Sequence, residues 1–296
     1  MKVLFTAFVC ALLLPAACFA REQLRLPWVF SDEPDLSADF WFAPGAAGKT
    51  AVAVELGGRF AGYPLGGERT SAPVVGFRCS FVDPTALDRA AEVLTGKVDL
   101  GEVLQEYALP FSAARFSASS DLVYKSELAC ELTPSDYNVE IVVSDPARGI
   151  ERRRPLHLIV PEFRENGWQT GDLRFLTGAG YTLAEDGSRK LALDPNPWRQ
   201  VGGGLKWDLL AAYTDRGPRP GGPLIQTHRI RRLRGDPRPL WSESGPAPEK
   251  RADQVWLVRV PEKTVAAWKG GIYVLEVELR CGGRSVRSSR TFEVLP

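Results

Sequence analysis

The stretch FAPGAAGKT, Phe42 to Thr50, carries the most chemically suggestive spacing in the chain. Ala43, Gly48, Lys49 and Thr50 fit the loosest form of a phosphate-binding loop, in which backbone amides cradle phosphate and the Lys neutralises it. That chemistry needs a strand before the loop and a helix after it, so that the helix N-terminus faces the anion. After Thr50 the chain runs AVAVELGG, in which Val52, Val54 and Leu56 alternate before a Gly pair. Alternation of period two marks a half-buried strand. The loop is therefore expected to be the tip of a hairpin between DFWFA and TAVAVEL, with no nucleotide bound.

Other reactive residue types are sparse. The chain has two histidines. His157 alternates with Leu156 and Leu158 and is expected to face solvent, and His228 falls in an Arg-rich segment read as a loop. Neither has a Cys or His at zinc spacing, and no nucleophile-elbow pattern such as G-x-S-x-G occurs. Both read as solvated surface residues. No catalytic, cofactor-binding or metal-binding residue is assigned. Carboxylates are plentiful, but a pair placed for glycoside hydrolysis is a matter of geometry that spacing does not reveal.

Two groups of side chains could form a ligand or partner surface. Arg229, Arg231, Arg232, Arg234 and Arg238 crowd one segment, joined by Arg216 and Arg219, and Arg152 to Arg154 form a second run. They could grip an anionic polymer or an acidic protein face. The plainer reading is solubility and, beside Pro155, protection of an edge strand. Trp168, Trp198 and Trp241 fall in expected loops and could stack on sugar rings, or else plug a domain junction or a sandwich end. Trp41, Trp207 and Trp256 lie in expected strands and read as core.

The elements that must position these residues begin after a leader. MKVLFTAFVCALLLPAACFA has the charged, apolar and small-residue order of a signal peptide, with cleavage expected after Ala20. Lipid attachment at Cys18 is the alternative, and it alone would imply a membrane association. Nothing later approaches the ~18 apolar residues of a spanning helix. The 296 residues carry 37 basic and 36 acidic side chains, a balance that implies no nucleic-acid partner. Abundant Gly and Pro suit short strands joined by many turns.

Two segments say the same thing twice. Tyr137, Val139, Ile141 and Val143 alternate, as do Tyr273, Leu275, Val277 and Leu279. Each run leads through a Gly-containing turn to a second strand, giving a terminal hairpin in each half. ADFWF is echoed by GDLRF, AVAVEL by KLALDP, and VVGFRCSFVD by GLKWDLLAAYTD. These echoes predict tandem copies of one β-sandwich, residues 38–161 and 162–296, after an N-terminal arm at 21–37. A short helical insert is expected in the first copy. In DPTALDRAAEVLTG, Asp83 would be the N-cap, Pro84 the first helical residue and Gly96 the stop. DLGEVLQEY comes next, with Asp99 and Glu102 at capping-box spacing. The second copy has instead the Pro-, Gly- and Arg-rich excursion from Arg216 to Lys250, expected to be loop around one short strand.

Cys79 alternates with Phe77 and Phe81, and Cys130 with Leu128 and Leu132, so both thiols are expected in the core of the first copy. An oxidising compartment would permit a disulfide between them. Two buried free thiols are the alternative. Cys281, at an expected turn, is left over.

The stretch Leu132-x-Pro134-x-x-Tyr137 resembles the tyrosine corner of immunoglobulin-like and fibronectin type III sandwiches, with Tyr273 in the matching place. That resemblance implies an all-β fold of two tandem immunoglobulin-like antiparallel sandwiches, and no particular function. The layout is also similar to the β-rich regions of secreted bacterial proteins named for a Gly-Trp-x-Thr-Asp motif. GWQTGD (Gly167 to Asp172) departs from it by Gly171, so no role is transferred. The expectation is an exported, secreted or periplasmic, non-enzymatic binding or scaffolding protein whose partner is a protein or a cell-envelope component. The alternatives are a carbohydrate-binding module using the loop tryptophans, and an exported hydrolase whose site spacing does not reveal.

Overall fold

Alternating strands that must bury one face have two ways to do so: against a second sheet, or against another part of the chain. Both occur here. A computed structural model of the chain describes residues 36–46, 48–59, 74–85, 91–100, 123–146, 149–163, 167–183, 189–202, 208–247 and 255–296. The expected leader, Cys18, most of the N-terminal arm and Trp207 lie outside them. The described chain is all-β, with several antiparallel sheets. No helix among the described residues is long and apolar enough to cross a membrane.

The N-terminal half forms β1 (Leu36–Pro44), β2 (Thr50–Arg59), β3 (Val74–Val82), β4 (Ala91–Asp99), β5 (Val123–Leu132), β6 (Ser135–Asp145) and β7 (Ile150–Val160). They make two sheets, β1-β2-β5 and β4-β3-β6-β7. Phe40, Val54 and Leu128 of the first sheet meet Phe81, Ile141 and Leu158 of the second in one hydrophobic cluster. Pro155 sits in β7, an edge strand, where its missing N–H costs no ladder bond.

The C-terminal half contributes β8 (Gln169–Thr170), β9 (Arg174–Leu183), β10 (Arg189–Pro195), β11 (Gln200–Gly202), β12 (Leu209–Tyr213), β13 (Asp215–Arg216), β14 (Ile225–Arg232), β15 (Trp241–Pro246), β16 (Trp256–Val260), a one-turn helix α1 (Glu262–Val265), β17 (Gly271–Cys281) and β18 (Arg284–Leu295). The sheets run β10-β9-β12-β16 and β11-β18-β17-β14-β15, with a small β8–β13 pair. A second cluster, including Phe175, Tyr213, Trp256, Leu275 and Phe292, fills the space between the large sheets. With β10 and β11 set aside, β9-β12-β16 repeats the order of β1-β2-β5, and β15-β14-β17-β18 that of β4-β3-β6-β7.

Tyr137 and Tyr273 are each the third residue of their strand, and each phenol donates to the carbonyl four residues upstream, Thr133 at 2.9 Å and Lys269 at 2.6 Å. The expected hairpin around Gly45–Lys49 is present. β1 and β2 pair antiparallel from Leu36↔Gly58 to Pro44↔Thr50, and the tip closes with Gly45 N–H on the Lys49 carbonyl and Lys49 N–H on that of Ala46. Gly48 takes a φ of 70°, which only glycine adopts without strain.

Four sequence expectations need correction. The helix expected to run from Asp83 to Gly96 does not reach Gly96, because Ala91–Asp99 is strand β4, paired to β3, while residues 86–90 lie outside the described residues. Asp83 instead accepts from Thr85 in a tight turn. From residue 101 the second expected helix lies outside the described residues. The Arg-rich excursion is a hairpin of two strands, with β14 paired to both β15 and β17. Two of the three sequence echoes are displaced, although ADFWF and GDLRF do lead into the corresponding strands β1 and β9: KLALDP is the added strand β10, and GLKWDLLAAYTD supplies β12, which stands where β2 does. Finally, Cys281 ends β17 and is buried, its thiol donating to the Pro220 and Gly222 carbonyls.

Candidate functional site

The two cores are joined by a face that alternation alone assigns to water. On β1, Ala38, Phe40 and Phe42 point into the first core, which leaves Ser37, Asp39, Trp41 and Ala43 on the opposite face. That face is also buried, because the C-terminal half covers it. Ser37 donates to the Pro197 carbonyl at 2.8 Å, and the Trp41 indole to that of Asp172 at 2.9 Å. Asp172 N–H in turn donates to the Phe42 carbonyl, also at 2.8 Å. Gly57 lies directly under Trp198 and Pro197, where a Cβ would come within 2.7 Å of the indole.

Charge is concentrated in this junction. Asp39 is 3% exposed and takes bonds from three sources: Arg199 through Nε at 2.8 Å and Nη2, Arg290 through Nη2 at 2.8 Å, and Phe40 N–H. Arg290 reaches inward from β18 and also donates to the carbonyls of Leu173 and Phe40. Arg199 ends the turn Asn196–Arg199 with a φ of 48°, the one positive value at a non-glycine among the described residues. Such a conformation persists only where its surroundings over-determine it. Here Arg199 N–H bonds to Asn196 and its carbonyl accepts from Glu293. Beside this cluster, Arg174 of β9 bridges Glu55 of β2 and Glu127 of β5, its guanidinium 5.6 Å from the Trp41 ring centre.

The electrostatics follow from burial and pairing. Burial opposes ionisation of Asp39, but Arg199 and Arg290 overcome it and hold the carboxyl below its ordinary range. For Glu55 burial wins over Arg174, with help from the negative neighbours Asp39 and Glu127, and pushes the carboxyl up to about 7. Burial and the nearby Arg199 lower Arg290.

A second network holds the linker. Asp215, 2% exposed, accepts the Trp168 indole at 2.9 Å, the Trp256 indole at 2.8 Å and both nitrogens of an Arg219 fork. Next to it a cavity of about 330 Å3 opens between the β1–β2 turn, the linker and β13, lined by Lys49, Phe163, Gln169, Arg216 and four glycines among others.

The residues singled out from sequence are thereby dispersed. Trp168 is bound to Asp215, and Trp198 is 8% exposed against the N-terminal half. Trp241 opens β15 and packs on the second core. Arg229 and Arg231 lie on β14, bonded to Glu278 and Glu276 of β17, and Glu278 also gathers Arg280 and Arg287. Arg232 donates to the Gly270 carbonyl and Arg234 is exposed. His157 faces outward near Asp136. His228 does not: it is 5% exposed against Tyr213, and burial lowers its pKa to about 4. Cys79 and Cys130 are unbridged, and burial raises them to about 12 and about 11 respectively. Among the described residues, no three His, Cys, Asp or Glu side chains converge as a metal-holding group.

The residues that sequence reasoning missed are Asp39, Glu55, Arg174, Arg199 and Arg290. The available signal was the face itself. By alternation the outer side of β1 and β2 carries Ser, Ala, Gly and Trp, with Asp39, Glu55 and the strand-end Arg59 as its charged residues, a face poor in polar side chains for solvent.

No model of a known protein family matches the chain, and no curated protein matches it. Among solved structures it is similar to a chain in the crystal structure of dimeric latent PorU from Porphyromonas gingivalis, at 10% identity and a TM-score of 0.31, covering 90% of this chain. The chain spans 21% of the length of that protein.

Proposed function

We propose that this is an exported, non-enzymatic binding or scaffolding protein made of two tandem immunoglobulin-like sandwiches held in one fixed orientation. The buried charge network carries the reading. Asp39 and Glu55 from one half, and Arg174, Arg199 and Arg290 from the other, form directional bonds that a flexible linker between independent modules would not need. The repeated strand order and the paired tyrosine bonds support the module assignment. A fixed pair of modules presents loops from both halves as one surface, which suits recognition or spacing of a protein or cell-envelope partner.

The test joins orientation to binding. Small-angle scattering of the chain from residue 21 should fit one rigid arrangement. Pull-down from envelope and medium fractions should capture a partner that is lost when Arg199 and Arg290 are both replaced by Met in a variant that remains folded. Equal capture by that variant, or scattering that requires independent modules, would count against the reading. So would hydrolytic turnover that disappears in a His157→Ala/His228→Ala double variant.

A further inference from the structure

We infer that the cavity beside the Gly45–Lys49 turn binds the carboxylate of an acidic sugar, a uronate unit of a larger saccharide. This rests on the binding role proposed above and names the chemistry of its ligand. The cavity, about 330 Å3, lies at the lower end of the range for small-ligand pockets. Among the described residues its lining holds two cations, Lys49 and Arg216, and no carboxylate.

Two nearby acids, Asp215 and Glu131, are already engaged. Asp215 is buried under Trp168, Trp256 and Arg219, and Glu131 accepts the Ala46 N–H at 2.9 Å. Lys49 has no ion-pair partner among the described residues, and Arg216 donates only a long 3.3 Å bond to the Gly45 carbonyl. A guanidinium fork and an ammonium facing one hollow are suited to one small anion.

The turn itself decides which anion. A phosphate cradle needs several free amides, and here three are spent. Gly45 N–H goes to the Lys49 carbonyl, Lys49 N–H to Ala46, and Ala46 N–H to Glu131. These three amides of the turn are closed to a ligand, and what Lys49 and Arg216 offer are side-chain cations. That arrangement fits a singly charged, planar carboxylate better than a phosphoryl group. Phe163, half-buried against the first core, supplies an apolar wall for the C–H face of a sugar ring.

The walls are fixed by backbone contact. Gly217, with a φ of 90°, packs so closely on Gly167 that a Cβ would fall 2.1 Å from its carbonyl oxygen. The hollow is thus open before any ligand arrives.

The experiment is calorimetric titration of the chain from residue 21 with oligogalacturonate, with neutral galactose oligomers and inorganic phosphate as the other arms. Oligogalacturonate should bind, more weakly as salt rises, and the neutral oligomer should not. Lys49→Gln and Arg216→Gln should each weaken binding about tenfold, equivalent to about 1.4 kcal/mol, while Lys49→Arg retains most of it. Near-ultraviolet circular dichroism checks that the variants remain folded. Equal binding of the neutral oligomer, tighter binding of phosphate, no binding at millimolar ligand, or indifference to both Gln variants would each overturn the inference. None of these results touches the orientation test, which is read by scattering.

Discussion

Replacing Asp39 with Ala is the most direct perturbation of the junction. The side chain is 3% exposed, and its two cationic partners, Arg199 and Arg290, are 3% and 7% exposed. Removing the carboxylate leaves Arg290 with only the Leu173 and Phe40 carbonyls and takes both fork contacts from Arg199. Breaking a buried pair by deleting one partner costs about 3–5 kcal/mol, because the remaining charge stays buried. With two buried cations losing the same carboxylate, the upper end applies. Against a typical total of about 5–15 kcal/mol this is a third or more of the stability. Asp39→Asn keeps an acceptor and the shape but loses the charge, so it should cost less than the Ala variant. The assay is urea unfolding followed by tryptophan fluorescence, to which Trp41 and Trp198 at the junction and Trp256 in the second core contribute. The Ala variant should lower the midpoint and separate one transition into two. Acid should act in the same direction. The native carboxyl is depressed, so its contribution is present above the unfolded value near 3.8 and is lost as pH falls through the lower native value. A loss below about 1 kcal/mol in Asp39→Ala, with a single unchanged transition, would refute the reasoning.

Three further outcomes are expected. Glu55, raised to about 7, binds its proton more readily when folded, so its stabilisation is full below about 4.5 and lost as pH rises through 7. His228, lowered to about 4, acts oppositely, with stability present above 6.5 and lost toward 4. Over pH 5 to 6.5 the two offset each other, so Glu55→Gln should make stability fall on acidification and His228→Asn should make it rise; parallel slopes in the two variants would disprove the assignment. Iodoacetamide at pH 7.5 should label the native thiols slowly, since Cys79 and Cys130 are raised to about 12 and about 11 and Cys281 is buried. After unfolding without reductant it should label all three in the chain from residue 21, whereas a single labelled thiol would mean that Cys79 and Cys130 are bridged in the isolated protein. Gly58→Ala should destabilise by about 1–3 kcal/mol in thermal melts, because its Cβ would fall 2.1 Å from the buried Tyr124 ring; an unchanged melting temperature would show that the ring moves aside freely.

Alternation was the legible part of this sequence. It located β1, β2, β6 and β17 by a continuous apolar face, and β7 and β18 by the apolar alternation of their last residues, Leu156, Leu158 and Val160 in one and Phe292 and Val294 in the other. It failed where propensity and period disagreed. ALDRAAEVL favours a helix in isolation, yet the open edge of β3 recruits Ala91–Asp99 as a strand, and Gly96 lets it approach Leu128 of the other sheet, where a Cβ would come within 2.7 Å. The segment IQTHRIRR also alternates, with His228 and Ile230 inward and Arg229 and Arg231 outward, but flanking Gly and Pro disguised it as a loop. The junction was missed for a different reason. A strand buried on both faces by different partners marks its second burial only weakly, by a shortage of polar side chains on the outer face, so spacing alone did not single out Asp39 and Glu55.

The choice of charge over hydrocarbon at that junction has a physical consequence. An apolar replacement of similar shape is often as stable as a buried ion cluster, or more so. Stability alone therefore does not explain Asp39 with its two arginines. What the cluster adds is direction. Arg290 must lie within bonding reach of Asp39, Phe40 and Leu173 together, and Arg199 must hold its left-handed turn to reach the same carboxylate. A sliding or rotated arrangement of the two halves would strand at least one buried cation, at a cost of several kcal/mol, whereas a greasy interface would tolerate it. The same geometry sets the relation between Lys49 on the β1–β2 turn and Arg216 on β13, since β1 carries both the turn and Asp39. If the junction is loosened, the two cations lose their common spacing before either half unfolds. Ligand affinity should therefore fall in Arg290→Met even though Arg290 does not line the cavity.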